Sequence, residues 1–503
     1  MRDGCASTVG AIGRRSGLLV PLACAVRNGS RSAVELVEES LRRTGAAGNL
    51  NAVIAIREDE ALADARRLDA HTRAGNDPGP LAGLPLLVKD IEDVAGMRTT
   101  FGSVLRAADP PVEHDGMAVA RLRRAGAIVL GKTNVPEFAF QGFTDNELFG
   151  PTNNPWLVTA SAGGSSGGSA AALAAGLAPL ATATDVGGSI RIPAAACGLV
   201  GLKPTAGLVP IDLQLASPEL NSHGPLTATV ADARLVLGVL TDVQPGDPGI
   251  RAGWGSDGRP LPAQLLVSHR FFAGPPLPAA LDRAFQIVAE ALATALNISA
   301  RPIEPERIFP GGYESADWFR IVGYEQARAI GRRTIDRHAA NLDPAFLADM
   351  RSALGVSRSD HAAARRRARR YRRELDGLLA GDAVLVTPTL TVEGWTPDGR
   401  LVESGPVGLP SSVFNTEPAN LTGHPAISVP AGRLPNGLPF GLQIVGPRFA
   451  DFLLLDLAAA WEEAAPWPLV APGYRPFADA GSFGPAAGRL SSVPRGAGRA
   501  SAS

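Results

Sequence analysis

The sequence predicts an α/β fold with a mixed, largely buried β-sheet. Apolar, β-branched or leucine-rich runs alternate with segments of helical periodicity through much of the chain, which is the pattern of strands covered by helices. Of the 503 residues, 45% are apolar and 19% are charged, so the chain can bury a large core. The 57 glycines and 42 prolines indicate a fold rich in loops.

The predicted strands and helices follow one another along the chain. The strands are NAVIAI, GLPLLVKD, AIVLGK, APLATATD, DAVLVTP and LQIVG. The helices between them are EDEALADARRLDAH, GMAVARLRRAG, GGSAAALAAG and VADARLVLGVL. The short apolar runs bounded by polar or glycine residues favour strands, and spacing of apolar residues by three or four favours helices.

The two ends of the chain differ in composition from the rest. The early run GRRSGLLVPLACAV resembles a weak export signal, but Pro21 interrupts it. A capping box from Ser32 to Glu35 then opens an amphipathic helix, so we expect the run to form a short helix packed on the body. We expect residues 1–17 to be flexible, 18–480 to form one domain, and 481–503, rich in small residues, to be disordered.

Charge and hydropathy exclude two classes of protein. A net charge of −1 argues against a general nucleic-acid or membrane-surface role, and no apolar run reaches the ~18–20 residues of a membrane span. The arginine-rich segment 365–381 has Ala364, Ala368, Tyr371, Leu375, Leu378 and Leu379 at helical spacing. We therefore interpret it as an amphipathic helix with a solvated arginine face rather than a nucleic-acid patch.

The number and spacing of the cysteines do not predict a disulfide framework. Cys5, Cys24 and Cys197 are too few and too far apart for disulfides or a zinc site. We expect Cys197, in PAAACGLVG, to be a small buried hydrophobe rather than a catalytic thiol. A reduced, cytoplasmic protein without a metal site fits this pattern best.

Two glycine-serine turns enclose an alanine-rich helix, in SAGGSSGGSAAALAAG and DVGGSIRIPAAACG. No lysine follows the glycines as a phosphate loop requires, and the dinucleotide fingerprint is absent. The segment Gly163–Gly167 does match G-x-S-x-G, with Ser165 as nucleophile. That turn needs a preceding hydrophobic strand and a histidine such as His424, and we regard the match as weak.

A different interpretation uses both turns. The glycines before Ser189 allow successive backbone N–H groups to converge, as an oxyanion hole requires. Neither turn contains a histidine, but Lys89 ends an apolar run, and burial lowers a lysine pKa far enough for a neutral amine to act as a base. Ser165 in the first turn can relay the proton between Lys89 and Ser189.

At these residues the chain resembles the amidase signature hydrolases. GLPLLVKD, GKTNVPEFAF, FGPTNNPW, GGSSGGSAAALAAG, DVGGSIRIPAAACGLVGLKPTAG and NLTGHPAISVPAG occur in family order from about residue 30 to 475. The resemblance implies a single amidase signature domain around a large twisted mixed sheet covered by helices. It also implies a Ser–cisSer–Lys triad with Ser189 as nucleophile, Ser165 as bridging serine and Lys89 as base, with no cofactor.

Further roles follow from the same resemblance. The oxyanion hole would consist of the backbone N–H groups of Val186, Gly187, Gly188 and Ser189. Asp185 and Arg191 would hold this turn in place. Many family members have Thr at the position of Val186 and Pro at that of Ala162. Those that serve as the A subunit of tRNA-dependent amidotransferases usually have Gln at the position of Ile192, so Ile192 favours a stand-alone amidase.

The substrate is predicted only as a class. By analogy with the family, the segment Glu137–Gly150 and the loop PTLTVEGWTP line the acyl pocket, with Phe140 and Phe143 as the candidate pocket residues. The phenylalanines of this segment predict an aromatic or aliphatic acyl group. Phe138 and Phe149 belong to the same segment, and any of the four rings could instead fill core space. The candidate substrates are therefore aryl amides, fatty amides, small aliphatic amides and carbamates, the last of which would make the protein a urethanase.

Three functional classes compete for this chain. The first is a small-molecule amide hydrolase, with no nucleic-acid or membrane partner and with a homodimer left open. The second is an acyltransferase that gives the same acyl-enzyme to an amine, and the third is a component of a glutamine-dependent amidotransferase. A non-catalytic binding module is disfavoured because all three triad positions are present.

Overall fold

A computed structural model describes residues 17–212, 217–242, 261–380, 382–402 and 415–477. The predictions that residues 1–17 are flexible and that 481–503 are disordered concern segments outside these ranges, except for Gly17, and stay predictions. Cys5 also lies outside them.

The described residues form helices and strands that alternate in parts of the chain, with five helices, α9 to α13, in succession between β10 and β11. The helices are α1 Leu19–Arg27, α2 Ala33–Ala46, α3 Glu58–Arg73, α4 Met117–Arg124, α5 Gly167–Ala174, α6 Arg191–Cys197, α7 Val230–Leu240, α8 Ala279–Leu296, α9 Pro305–Ile308, α10 Asp317–Ile330, α11 Arg332–Arg337, α12 Pro344–Leu354, α13 Arg358–Leu379, α14 Glu417–Thr422 and α15 Asp451–Ala464. The strands are β1 Val53–Ile56, β2 Pro85–Lys89, β3 Ile128–Thr133, β4 Leu180–Ala181, β5 Thr184–Asp185, β6 Val200–Lys203, β7 Ser222–His223, β8 Leu226–Thr227, β9 Gln264–Val267, β10 Ser299–Pro302, β11 Ala383–Pro388, β12 Ala426–Arg433 and β13 Pro439–Val445.

The strands pair into a mixed sheet that is interrupted rather than continuous. One ladder has the order β1-β3-β2-β4, a second has β10-β9-β11-β13-β12-β6-β8, and β5 pairs with β7 alone. Strands β4 and β8, at the edges of the first two ladders, are in contact. Parallel and antiparallel pairs both occur, so the predicted α/β class with a mixed, largely buried sheet is confirmed.

Strand β2 carries the first residue of the predicted site. All five of its residues are buried, and it runs parallel to both β3 and β4. Lys89, its last residue, lies in register with Thr133 of β3. Because parallel strands end at the same edge of a sheet, Lys89, Thr133 and the residues that follow β4 meet there.

Helix α5 fixes the separation of the two glycine-serine turns. Each of its residues is buried, as expected for a helix that is small and apolar all round. It packs against α6, β2 and β3. At Gly168 an added Cβ would lie 2.4 Å from the backbone nitrogen of Asn134, so only glycine allows this close approach.

Several local predictions are confirmed outside the site. The early apolar run forms α1, with Leu19 and Leu22 in the core. Ser32 and Glu35 form both hydrogen bonds of the capping box at the start of α2. Among the described residues, no helix combines the length and apolarity needed to cross a bilayer.

The described part of the arginine-rich segment is helical as predicted as far as Leu379, the last residue of α13, which buries Ala364, Ala368, Tyr371 and Leu375 on one side. The predicted solvated arginine face is only partly present, because Arg367 forms an ion pair with Asp317, whose side chain is fully buried. Cys197 is buried at the end of α6, and burial raises the pKa of its thiol, as expected for an inert cysteine.

Candidate active site

Lys89 lies in a buried cluster of hydroxyl groups. Its side chain is fully buried, and Nζ lies 2.8 Å from Ser165 Oγ, 2.9 Å from Ser166 Oγ and 2.9 Å from Thr184 Oγ1. Its backbone N–H donates to Thr182 Oγ1 at 2.9 Å. The amine is therefore held by three neutral oxygens, with no carboxylate in direct contact.

This environment changes the protonation of the lysine. Burial lowers the pKa of Lys89 to about 7, while the nearby charges of Glu92 and Asp185 oppose the shift. Neutral hydroxyls stabilise an ammonium group less than a carboxylate partner would. About half of the lysine is therefore neutral at pH 7, and a neutral amine can accept a proton.

The first glycine-serine turn brings Ser165 to Lys89. The peptide bond between Gly164 and Ser165 is cis. Thr144 Oγ1 donates to the carbonyl of Gly163 at 2.8 Å, which anchors the turn. The side chain of Ser165 is 1% exposed and does not reach the cavity wall.

The second turn places Ser189 at the cavity. Ser189 lines the cavity and is 8% exposed, so it is the more accessible of the two serines singled out from the sequence. Its carbonyl accepts a hydrogen bond from the backbone N–H of Ser166 at 3.3 Å. The backbones of the two turns are therefore joined directly.

Asp185 organises the second turn. Its carboxylate accepts hydrogen bonds from the N–H groups of Gly188 at 2.7 Å and Ile190 at 3.2 Å. Arg191 donates to both carboxylate oxygens, at 2.9 and 3.0 Å. Burial alone would raise the pKa of Asp185, but Arg191 and further hydrogen bonds lower it to about 2. The carboxylate therefore stays ionised and braces the turn.

The predicted oxyanion donors need one correction. The N–H of Gly188 points to Asp185, and Gly188 does not line the cavity, whereas Val186, Gly187 and Ser189 do. No hydrogen bond to another described residue occupies the N–H groups of these three. Gly188 has a φ of 131°, and this glycine-type conformation directs its N–H to the carboxylate of Asp185 rather than to the cavity.

Arg191 connects Asp185 and the second turn to distant parts of the chain. Its guanidinium donates to the carbonyl of Thr416 at 2.9 Å, to Gln443 Oε1 at 2.8 Å and to Asn420 Oδ1 at 2.7 Å. Asn420 in turn donates to Asp185 Oδ1 at 2.9 Å. These three partners were not predicted from the sequence, although Asn420 and Gln443 lie in the quoted segments NLTGHPAIS and LQIVG.

A cavity of about 310 Å³ opens beside Ser189. Phe140, Phe143 and, from the PTLTVEGWTP loop, Trp395 line it. Phe138 instead packs in a separate core cluster, and Phe149 is not part of the wall. Other wall residues were not predicted, because their distance along the chain gave no signal: Trp318, Phe319, Asp349 and Glu417.

The structure does not bring a histidine to Ser165. His424, the candidate base of the G-x-S-x-G interpretation, is buried with Nε2 3.3 Å from Asp376 Oδ1. Ser165 instead lies against Lys89. This geometry disfavours the G-x-S-x-G interpretation.

Comparison with known proteins places this chain in a family. The sequence profile described as Amidase matches residues 35–455. The chain is 33% identical to an acylamidase of Rhodococcus erythropolis, over 89% of this chain and 95% of the relative. It is 35% identical to the A subunit of a glutamyl-tRNA(Gln) amidotransferase of Geobacter metallireducens, over 87% of this chain and 94% of the relative.

A solved structure agrees with these sequence relatives. A bacterial aryl acylamidase of the amidase signature family superposes with a TM-score of 0.78 at 26% identity, over 90% of this chain and 97% of the other. Both the sequence and the three-dimensional match extend over nearly the whole described chain. The chain therefore belongs to the amidase signature family.

Proposed function

We propose that the protein hydrolyses a carboxylic amide through an acyl-enzyme on Ser189. Ser189 Oγ attacks the amide carbonyl carbon while its proton passes to Ser165, whose own proton passes to neutral Lys89. The ammonium of Lys89 returns a proton through Ser165 to the nitrogen, the C–N bond breaks and the amine or ammonia leaves. Water then attacks the ester on Ser189 by the same proton relay and releases the acid.

The buried contact between Lys89 and Ser165 carries this proposal. The two side chains lie 2.8 Å apart, and burial holds the pKa of Lys89 near the operating range of a general base. Ser189 is the serine that faces the cavity. These positions support attack by Ser189 and proton transfer by Ser165 and Lys89.

The oxyanion that forms during attack needs preorganised donors. We assign this role to the backbone N–H groups of Val186, Gly187 and Ser189, because these residues line the cavity and their N–H groups have no hydrogen-bond partner among the described residues. Asp185 and Arg191 hold the turn and do not touch substrate. Removal of one donor of this kind typically costs about 3–4 kcal/mol in the transition state.

The substrate class follows from the wall and from the relatives. Phe140, Phe143 and Trp395 present aromatic surface to the acyl group. The Rhodococcus relative is an acylamidase and the solved neighbour an aryl acylamidase. We propose an aryl or alkyl acylamide as substrate, with carbamates and esters as further substrates of the same acyl-enzyme.

Acyl transfer to an amine is the second candidate, because relatives include amidotransferase A subunits. The apolar side chain of Ile192 lies in the cavity wall, where those subunits usually carry glutamine, and this favours the stand-alone hydrolase. Hydroxylamine added to a reaction separates the two outcomes. A hydrolase partitions its acyl group mainly to water, whereas a synthase gives mainly the hydroxamate.

Three serine variants test the mechanism with p-nitroanilide substrates. Ser189→Ala should abolish turnover and acyl-enzyme formation, detected by mass spectrometry. Ser40→Ala is the matched control, because Ser40 is a buried serine with one hydrogen bond to the Leu177 carbonyl, far along the chain from the turns. If Ser165→Ala is inactive while Ser189→Ala keeps its activity, Ser165 is the nucleophile and the proposal is wrong.

A further inference from the structure

The cavity wall contains a carboxyl group that the proposed chemistry does not use. Glu417, the first residue of α14, lines the cavity and is 2% exposed. Its Oε2 atom is buried and has no hydrogen-bond partner among the described residues. A buried carboxyl without a partner is costly, and such a group in a native structure calls for an explanation.

The chain holds Glu417 firmly against the catalytic turn. Thr416, the residue before it, donates from Oγ1 to the carbonyl of Gly187 at 2.6 Å. The carbonyl of Thr416 accepts from Arg191 at 2.9 Å. Glu417 therefore starts from a backbone fixed on the same turn that presents Ser189, and its carboxyl group is part of the substrate cavity.

No described residue forms a hydrogen bond with the Oε2 atom of this carboxyl group. Arg191, the nearby cation, already donates to Asp185, Asn420, Gln443 and the Thr416 carbonyl. The hydroxyl of Tyr313 is also buried without a partner among the described residues and makes no hydrogen bond to Glu417. Burial raises the pKa of Glu417 well above its usual range, and the charge of Arg191 only partly opposes this.

The rest of the wall restricts which ligand can supply the missing contact. The only other titratable wall residue among those described is Asp349, whose carboxylate accepts a hydrogen bond from Gln141 at 2.8 Å. No lysine or arginine lines the cavity in the described part of the chain. The described wall therefore offers carboxyl oxygens and aromatic faces, which suit N–H donors and cations, and it has no positive charge to balance a buried carboxylate.

We propose that Glu417 determines substrate specificity by accepting a hydrogen bond from an N–H donor on the part of the substrate away from the scissile bond. The donor is an ammonium group or a second amide. An ammonium group displaces the proton of Glu417 to solvent and forms a charge-assisted hydrogen bond, whereas an amide N–H pairs with the neutral carboxyl. This inference rests on the proposed amide hydrolysis and deepens it by naming a substrate class.

The test compares matched acyl p-nitroanilides with chains of three to six carbons. At each length the far end carries a methyl, an ammonium, an acetamido, a methyl ketone or a carboxylate group. At the best length we expect kcat/KM for at least one N–H substrate to exceed that of the methyl substrate by about tenfold or more, since a hydrogen bond to a charged group contributes roughly 1.5–3 kcal/mol. The carboxylate substrate should be the poorest.

The assignment to Glu417 is tested by Glu417→Gln, with Glu463→Gln as the matched control on the exposed side of α15. Glu417→Gln should reduce the ratio of kcat/KM for the ammonium substrate to kcat/KM for the methyl substrate about tenfold or more. Glu463→Gln should leave this ratio unchanged. The ratio of ammonium to acetamido preference distinguishes the two kinds of N–H donor.

Three results would overturn the inference while leaving amide hydrolysis intact. One is Ser189-dependent hydrolysis without any N–H preference at any chain length, and the other is a preference that Glu417→Gln does not change. A preference for the ketone substrate would mean that Glu417 donates its proton instead, and also overturns it. If no amide is hydrolysed, the proposed function fails. The binding preference of Glu417 can then still be measured, by comparing the shift in melting temperature that pentylamine and pentanol cause in wild type and in Glu417→Gln.

Discussion

The pH dependence of amide hydrolysis gives the sharpest check on the role of Lys89. Burial moves the pKa of this lysine from 10.5 to about 7, and a shift of that size corresponds to roughly 5 kcal/mol at 1.36 kcal/mol per unit. At pH 7 about half of the amine is neutral, against roughly one part in three thousand for an ordinary lysine. We expect kcat/KM for amides to fall about tenfold per pH unit below pH 7.

Replacement of Lys89 by methionine should affect amides and esters unequally. An amine leaves only when its nitrogen is protonated, whereas a phenoxide leaves without that help. General acid–base catalysis typically contributes about 10²–10⁴-fold, so Lys89→Met should reduce amide hydrolysis far more than hydrolysis of the matched ester. The assay measures kcat/KM for an acyl anilide and the phenyl ester of the same acid in both proteins.

A second buried lysine provides the control. Lys203 also has its pKa lowered to about 7 by burial, and its Nζ donates to the carbonyl of Pro204 at 2.6 Å, away from the two serines. Lys203→Met should keep the fall of kcat/KM below pH 7 (the acidic limb of the pH profile), while Lys89→Met should abolish it. Equal losses on amide and ester, or an acidic limb that disappears only in Lys203→Met, would refute the assignment of Lys89 as the base.

Three further results are expected. Because Lys89 loses its proton near pH 7 when folded but near pH 10.5 when unfolded, the stability of wild type relative to Lys89→Met should be lowest below pH 7. It should rise by about 2 kcal/mol between pH 7 and 9, measured by urea unfolding, and a constant difference would contradict the lowered pKa. Asp185→Asn leaves the buried Arg191 without its counter-ion, so it should lower the free energy of unfolding by about 3–5 kcal/mol, and adding Arg191→Met should recover part of this loss. Gly188→Ala would place its Cβ against Thr416 and Ile192, at a φ of 131° that residues with side chains rarely adopt, and should abolish activity; a variant with wild-type kcat/KM would contradict this.

The sequence determined the local elements well, because their causes are local. The Ser32 capping box fixes the start of α2 through residues three positions apart. The side of α13 that packs inward follows from apolar residues at helical spacing such as Tyr371 and Leu375. Lys89 ends a short apolar run, and that pattern alone indicated a buried lysine at the end of a strand.

The residues of the candidate site were found from the sequence only where they lie in ordered motifs. The spacing of the two turns around α5 indicated that Ser165 and Ser189 belong together, and the backbone hydrogen bond between Ser166 and Ser189 joins these turns. The sequence pattern did not predict the direction in which individual N–H groups point. Gly188 was expected to donate into the cavity, but Asp185 takes its N–H.

Only the tertiary structure decided what surrounds these turns. Arg191, which holds Asp185, also donates to the carbonyl of Thr416, more than two hundred residues along the chain. Trp318 donates from Nε1 to the carbonyl of Val186 at 2.8 Å. Glu417 enters the cavity through the same long-range contacts. A sequence pattern reports which face of an element is buried, whereas the partner across a cavity depends on how distant elements pack. That packing brought the carboxyl group of Glu417 to the cavity beside Ser189.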